Sequence, residues 1–267
     1  MSHSGIVHYH RHTPEPQSYR IDADGVTGRL VSPELLPTPI ELHDVRDDAV
    51  DTSFEADGIG FFVAPTDLDL TAAGWEARYA AELTDLLRRE LGADTVRVFD
   101  HTLRVDDPAA VRRPARNVHT DYSPEGARVR LDTLLGADTA AEWAAGHYAF
   151  VNVWRPVSDV VRSAPLGFVR PRTVAPADWV SLDLVYPDRV GQILGLVPNP
   201  AHEWVYQSRM TSRELAVFNI YDNRGRPAVA HSAVDLREPT PAGGIRRSLE
   251  TRTVIRFPTA LPTQEHP

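Results

Sequence analysis

Val118-His119-Thr120-Asp121-Tyr122-Ser123 sets a histidine and an aspartate two residues apart. On a β-strand such a pair shares one face, because successive side chains alternate. An imidazole nitrogen and a carboxylate oxygen then stand side by side. A histidine from a distant strand would complete the two-histidine, one-carboxylate set that holds non-haem Fe(II) and leaves positions open. His231, far downstream in Val229-Ala230-His231-Ser232, is the expected third member, with His202 and His101 as rivals. In a chain with 11 histidines a lone His-x-Asp carries little weight, so the surrounding sequence must support the reading.

Composition removes several chemistries. The chain has 267 residues, 42% hydrophobic and 24% charged, which suits one large globular domain. It contains no cysteine, excluding disulfides, thiolate nucleophiles, iron–sulfur clusters and cysteine-based zinc sites. All 28 basic residues are arginine, so Schiff-base chemistry and a phosphate-loop lysine are excluded too. Any metal must sit on His, Asp or Glu. A net charge of -9 without a basic run argues against nucleic acid as a partner. No apolar stretch approaches the roughly 20 residues that span a bilayer, and the first dozen residues lack a signal-peptide core. A cytoplasmic, soluble protein is expected.

Residues 1–20 carry His3, His8, His10 and His12 and read as an N-terminal arm or edge strand, with residues 21–267 as a single jelly-roll domain. Residues 22–58 are rich in Asp, Pro and Gly and read as loops and short strands around Ile40, Leu42 and Val45. From Trp75 the period changes to that of a helix, with Tyr79, Leu83, Leu86, Leu87 and Leu91 on one face and Gly92 as the stop. A strand follows at 95–105. Pro124 should end the strand that carries His119. A short helix is expected from Asp138 to Ala145, ending at Gly146. Strand candidates then follow at 147–155, 166–174, 179–186, 202–209, 214–221, 228–235 and 246–257, separated by Pro, Gly, Asn or Asp turns. Many short strands behind one long helix predict a mainly β protein with flanking helices: a double-stranded β-helix, or jelly roll, of cupin-like type.

Arg246-Arg247-Ser248-Leu249-Glu250-Thr251-Arg252 adds a further pattern. On a strand, Arg246, Ser248, Glu250 and Arg252 share one face. An inward arginine beside a hydroxyl suits bidentate recognition of a small dicarboxylate, whereas an outward row of Arg and Glu would be a solvated ladder.

With these segments in view, the chain resembles the Fe(II)/2-oxoglutarate-dependent dioxygenases of the CmcJ and AsaB type, gibberellin-desaturase-like hydroxylase/desaturases of bacterial and fungal secondary metabolism, including antibiotic biosynthesis. The similarity runs through residues 118–123, Val153-Trp154-Arg155-Pro156, Asn199 with His202 and Trp204, Tyr221-Asp222, residues 231–233 and residues 246–252, and covers about residues 95–257. Two departures are visible. Leu166-Gly167-Phe168-Val169-Arg170 stands where the family more usually ends a run in Cys-Asp, and the usual aromatic residue after Ala233 is missing. Both bear on the substrate pocket rather than on the metal.

The resemblance implies Fe(II) on His119, Asp121 and His231, 2-oxoglutarate as co-substrate and O2 as oxidant. Arg246 would take the C5 carboxylate with Ser248 assisting, and Arg252 and Arg155 stand in reserve. Tyr122, Asn152, Trp204 and Tyr206 are candidate substrate contacts. The outcome would be hydroxylation or desaturation of a small-molecule substrate; with Asp121 filling the third protein position, halogenation is disfavoured. Two other readings stay open from the sequence: a metal-dependent cupin-like enzyme that does not use 2-oxoglutarate, and a non-catalytic jelly-roll binding module.

Overall fold

The computed structural model describes residues 2–14, 17–21, 27–32, 35–47, 50–157, 160–237 and 245–258. In chain order the strands are β1 (Ser2–Tyr9), β2 (Gln17–Ile21), β3 (Thr27–Ser32), β4 (Leu36–Asp44), β5 (Ile59–Val63), β6 (Thr95–Val105), β7 (His119–Thr120), β8 (His147–Pro156), β9 (Leu166–Val169), β10 (Trp179–Val185), β11 (Val190–Leu196), β12 (Trp204–Tyr206), β13 (Glu214–Asp222), β14 (His231–Ala233), β15 (Asp235–Leu236) and β16 (Arg247–Phe257). The α-helices are α1 (Phe54–Asp57), α2 (Glu76–Leu91), α3 (Pro124–Leu135) and α4 (Ala137–Ala145).

Two sheets form the jelly roll. The larger runs β15-β1-β4-β12-β9-β14-β7-β11-β10-β2-β3 and the smaller β5-β13-β8-β16-β6. Phe168 from the larger sheet meets Phe218 from the smaller with ring centroids 5.0 Å apart, inside a core that also holds Phe150, Trp154 and Val254. The larger sheet curls: Val118 N donates to His8 O at 2.9 Å and His10 N to Leu196 O at 2.8 Å, drawing the end of β1 back over β7 and β11. A second core, with Val7, Tyr9, Leu42, Leu196, Trp204 and Val234, fills that curl.

Helix α2 forms as its spacing predicts. Tyr79, Leu83, Leu86 and Leu87 are buried against the outer face of the smaller sheet, where Val151, Val153, Leu215 and Leu249 receive them. Each such side chain contributes about 1.5–3 kcal/mol, which outweighs the marginal stability of one isolated helix of this length. Gly92 ends it in the left-handed region at φ 72, and Arg88 and Arg89 meet the negative end of the dipole.

The structure corrects the reading at Pro124. Instead of closing a strand, this proline is the first residue of α3: Ser123 caps it, its Oγ accepting from Gly126 N at 3.0 Å, and Pro124 lacks only the N–H that a helix start leaves unused. β7 is correspondingly short. The expected strands at 166–174 and 202–209 shrink to four and three residues; a strand does run through Ile40 and Leu42 as expected, but β4 has nine residues rather than being short, and β11 arises where nothing was read. Of the loop region 22–58, residues 22–26, 33–34 and 48–49 lie outside the described residues. Among the described residues no helix is long and apolar enough to cross a membrane.

Candidate metal and co-substrate site

His119 sits on β7 and His231 on β14, neighbouring antiparallel strands in which the two residues are direct register partners. Opposed residues point to the same face, so both rings enter the space between the sheets, with centroids 4.6 Å apart. Asp121 lies one residue past the end of β7, and its Oδ1 is 3.5 Å from His119 Nε2. One ligand atom from each of His119, Asp121 and His231 lies within 4.8 Å of the other two. The three expected ligands are therefore together, although Asp121 gets there by a bend rather than by strand alternation.

The ring tautomers suit coordination. His119 Nδ1 lies 2.8 Å from Asn117 O, and His231 Nδ1 lies 3.2 Å from Val229 O. Since a carbonyl only accepts, Nδ1 carries the proton and Nε2 keeps its lone pair for a metal. Burial pushes the His231 imidazolium down to about 4, with His119 adding to the effect, so the ring is neutral at pH 7. Burial alone would raise the Asp121 carboxyl, but the Arg252 guanidinium and the adjacent histidines hold it well below the usual range. Two imidazoles, each with Nδ1 on a backbone carbonyl, and one carboxylate in a partly closed site fit a divalent non-haem metal.

Asp121 is itself held. Asn152 Nδ2 donates to its Oδ2 at 2.8 Å and Arg252 Nε at 3.0 Å. Arg252 also reaches Glu250 at 2.6 Å and Asp100 at 2.6 Å, and these carboxylates keep its guanidinium charged against the cost of burial. Arg252, a reserve for the co-substrate, is committed to a metal-ligand carboxylate instead.

Arg246, the residue just before β16, keeps that strand's alternation and is buried like Ser248 and Glu250. Its Nη2 donates to Ser248 Oγ at 3.0 Å and its Nη1 to Ala164 O, and its guanidinium stacks 5.1 Å from the Trp154 ring. Burial pushes Arg246 down to about 9, which leaves it cationic at neutral pH. A narrow cavity of about 10 Å³ is lined by His119, His231, Trp154, Arg246, Glu250 and Arg104 among others. The metal-ligand nitrogens and the arginine thus open into one space.

Other sequence-based candidates fall elsewhere. Arg155 is opposite Leu249 on β16 and points to the outer face, where its Nε donates to Tyr79 Oη at 2.9 Å and its Nη1 to Ser212 O at 2.7 Å. It therefore braces α2 and does not face the cavity. Trp204 donates from Nε1 to Tyr9 Oη at 2.9 Å inside the curl of the larger sheet, with Tyr206 in the same core. Tyr122 does stay near the triad, its ring 4.9 Å from Phe150. Of the rival ligands, His202 has both nitrogens engaged, by Tyr9 Oη at 2.9 Å and Asp178 Oδ2 at 3.1 Å. His101 packs 4.9 Å from the Trp75 ring beneath α2. His10 is fully buried and rests over Gly195, the register partner of His119; a Cβ on Gly195 would come 2.5 Å from its ring.

Arg104 and Asp100 escaped the sequence reading. Both lie on β6, opposite Ser248 and Arg252 respectively. The alternation Asp100, Thr102, Arg104, Asp106 was the available signal: a charged residue at every second position bar one, on a strand whose other face lies toward α2.

A jelly roll with two histidines and a carboxylate facing inward defines the class, the non-haem Fe(II)/2-oxoglutarate-dependent dioxygenases. More narrowly, the profile of the family described as "Oxidoreductase/YMDC permease-like domain" matches residues 7–256, and the chain belongs to that family. This match begins well before residue 95, where the resemblance read from motifs began. Hydroxylase/desaturase efuI of Hormonema carpetanum is 28% identical, covering 81% of this chain and 83% of its own. Fe(II)/2-oxoglutarate-dependent dioxygenase nvfI of Aspergillus novofumigatus is 27% identical, covering 92% and 90%. A solved structure of the iron and alpha-ketoglutarate-dependent endoperoxidase NvfI superposes with a TM-score of 0.80 at 25% identity, over 96% of this chain and 98% of that one.

Proposed function

We propose that the protein hydroxylates or desaturates a small organic molecule of secondary metabolism, with Fe(II) on His119, Asp121 and His231 and 2-oxoglutarate against Arg246 and Ser248. The observation that carries this is the shared cavity: metal-ligand nitrogens and a buried, cationic arginine line the same space. That is the pairing a 2-oxo dicarboxylate needs, one end at the metal and the other on a guanidinium. The names of the relatives efuI and nvfI support the oxidative outcome.

With O2, iron and 2-oxoglutarate together supply the oxidising equivalent that removes substrate hydrogen, releasing succinate and CO2. The chain's own residues do the rest. His119 and His231 present unprotonated Nε2 atoms, and their backbone-bonded Nδ1–H groups stop the rings from turning. Asn152 and Arg252 aim Asp121 and keep it anionic. Trp154 and Leu166 wall the cavity with apolar surface, which keeps water from the reacting groups. Tyr122, which follows Asp121 in the chain and packs on Phe150, is kept as the substrate contact nearest the triad in sequence. The organisation as one domain, with β1 of residues 1–20 built into its larger sheet between β15 and β4, and a cytoplasmic location, belong to the same proposal.

The test is oxygen consumption by iron-loaded protein with succinate measured in parallel. Turnover that requires both Fe(II) and 2-oxoglutarate and yields succinate is expected. Substrate oxidation at full rate after 2-oxoglutarate is stripped away would point instead to an enzyme that activates its substrate directly on the metal.

A further inference from the structure

Arginine 104 has no part in the roles assigned so far, yet it lines the cavity with Arg246 and the two metal-site histidines. It is the register partner of Ser248 on the β6–β16 ladder, and Ser248 accepts from Arg246, so both arginines stand beside the same residue. Arg104 Nη1 donates to Arg113 O at 3.1 Å and Arg246 Nη1 to Ala164 O, both neutral carbonyls. Among the described residues neither makes an ion pair. The nearby carboxylates are engaged by other cations: Glu250 is 2.6 Å from Arg252, and Asp106 is 2.9 Å from Arg116. Burial lowers both guanidinium groups, and Arg104 presses further on Arg246.

Two like charges lining one cavity, Arg246 buried and Arg104 half-buried, repel each other and gain from an anion placed between them. A planar carboxylate answers both, since each guanidinium offers paired N–H donors. We propose that Arg104 is a second anchor for the distal carboxylate of 2-oxoglutarate, closing on it from β6 while Arg246 holds it from the turn into β16. This rests on the reading of the protein as 2-oxoglutarate-dependent. It also replaces Arg252 and Arg155 as the arginine that assists Arg246, since both of those are spent on other partners. The co-substrate would then bridge the two sides of the cavity, with its 2-oxo acid end toward His119 and His231.

The probe is calorimetric titration of the zinc-loaded full chain, in which no oxidation occurs, with 2-oxoglutarate and with 2-oxopentanoate, which has the same 2-oxo acid end and no distal carboxylate. For Arg104→Gln we expect 2-oxoglutarate to bind on the order of 10-fold more weakly or worse, with 2-oxopentanoate affinity and zinc stoichiometry unchanged. Arg104→Lys, which keeps the charge, should recover part of the loss. An equal loss for both acids would make Arg104 structural, and no loss for either would leave it free for an anionic group of the substrate; each result overturns the proposal. Wild-type protein that binds neither acid would instead overturn the functional reading itself, and this assignment with it.

Discussion

His119 and His231 are register partners on adjacent antiparallel strands, their rings 4.6 Å apart and each fixed through Nδ1 to a backbone carbonyl two residues earlier. The spacing of two metal-binding nitrogens is thereby set by the sheet ladder, the stiffest feature of the fold. Only the carboxylate has to be supplied from irregular chain, and Asn152 and Arg252 hold it there.

Removing any member of the set should empty it. His119→Ala, Asp121→Ala and His231→Ala are each expected to weaken metal binding by more than the roughly 10–100-fold typical of losing a supporting residue. His202→Ala and His101→Ala should retain metal, because their rings are engaged elsewhere. Metal content after dialysis decides it; retention by His231→Ala with loss by His202→Ala would reverse the ligand assignment.

Arg252 and Asn152 act on the metal through Asp121. Asn152→Ala should cost about 10–100-fold in metal affinity. Arg252→Gln should do at least as much and also destabilise the fold, since it leaves Asp100, Asp121 and Glu250 around an uncharged amide; breaking a buried ion pair costs about 3–5 kcal/mol, and less here because the side chain is 20% exposed. Metal titration together with urea denaturation separates the two effects, and unchanged metal affinity in both variants would show that Asp121 needs no support.

Arginines 246 and 155 should divide cleanly. Arg246→Gln is expected to raise the apparent KM for 2-oxoglutarate by on the order of 30-fold with iron content intact. Arg155→Gln, which loses bonds to Tyr79 and Ser212 beneath α2, should lower the melting temperature and leave that KM alone. The larger KM change appearing in Arg155→Gln would contradict the placement of these residues.

Acid should weaken the fold through His10. Burial pushes its imidazolium down to about 4, with His119 adding to this and Gln17 opposing it. The unfolded chain, at the ordinary value near 6.5, therefore takes up a proton that the folded one refuses. Stability contributed by the neutral ring is complete above pH 6.5 and falls as pH drops toward 4, by up to about 3 kcal/mol for this group. His10→Gln should show a shallower decline in urea midpoint between pH 6.5 and 4.5, and an unchanged decline would assign the acid sensitivity to other groups.

Gly195 leaves room for His10 beside the metal site. Gly195→Ala would put a Cβ 2.5 Å from the His10 ring and 2.8 Å from a Leu182 methyl group. Overpacking of this kind costs about 1–3 kcal/mol, and the strain falls on the strand paired with His119. A lower melting temperature with weaker metal retention is expected; a variant as stable as wild type would mean the ring can move aside.

Local and periodic features were legible in the amino-acid order. The period of Tyr79, Leu83, Leu86 and Leu87 located α2, the absence of cysteine and lysine narrowed the possible chemistry, and His119, Asp121, His231 and the Arg246-x-Ser248 pair could be nominated from spacing and resemblance. Strand parity also placed Arg246, Ser248, Glu250 and Arg252 on one face. What parity cannot say is which partner each of those four meets, because that depends on strands distant in sequence. Tertiary pairing of β16 with β6 gave Arg252 to Asp100 and brought Arg104 opposite Ser248, the packing of the two sheets gave Arg252 to Asp121, and the pairing of β8 turned Arg155 outward toward α2. The same limit applies at Pro124, where an Ser-Pro start reads equally as the end of a strand until Ser123 is seen to cap α3. Side-chain direction is a local property with a period of two, whereas the identity of a neighbour across the sheet is set by register, and register is settled only when the whole inner face is buried at once.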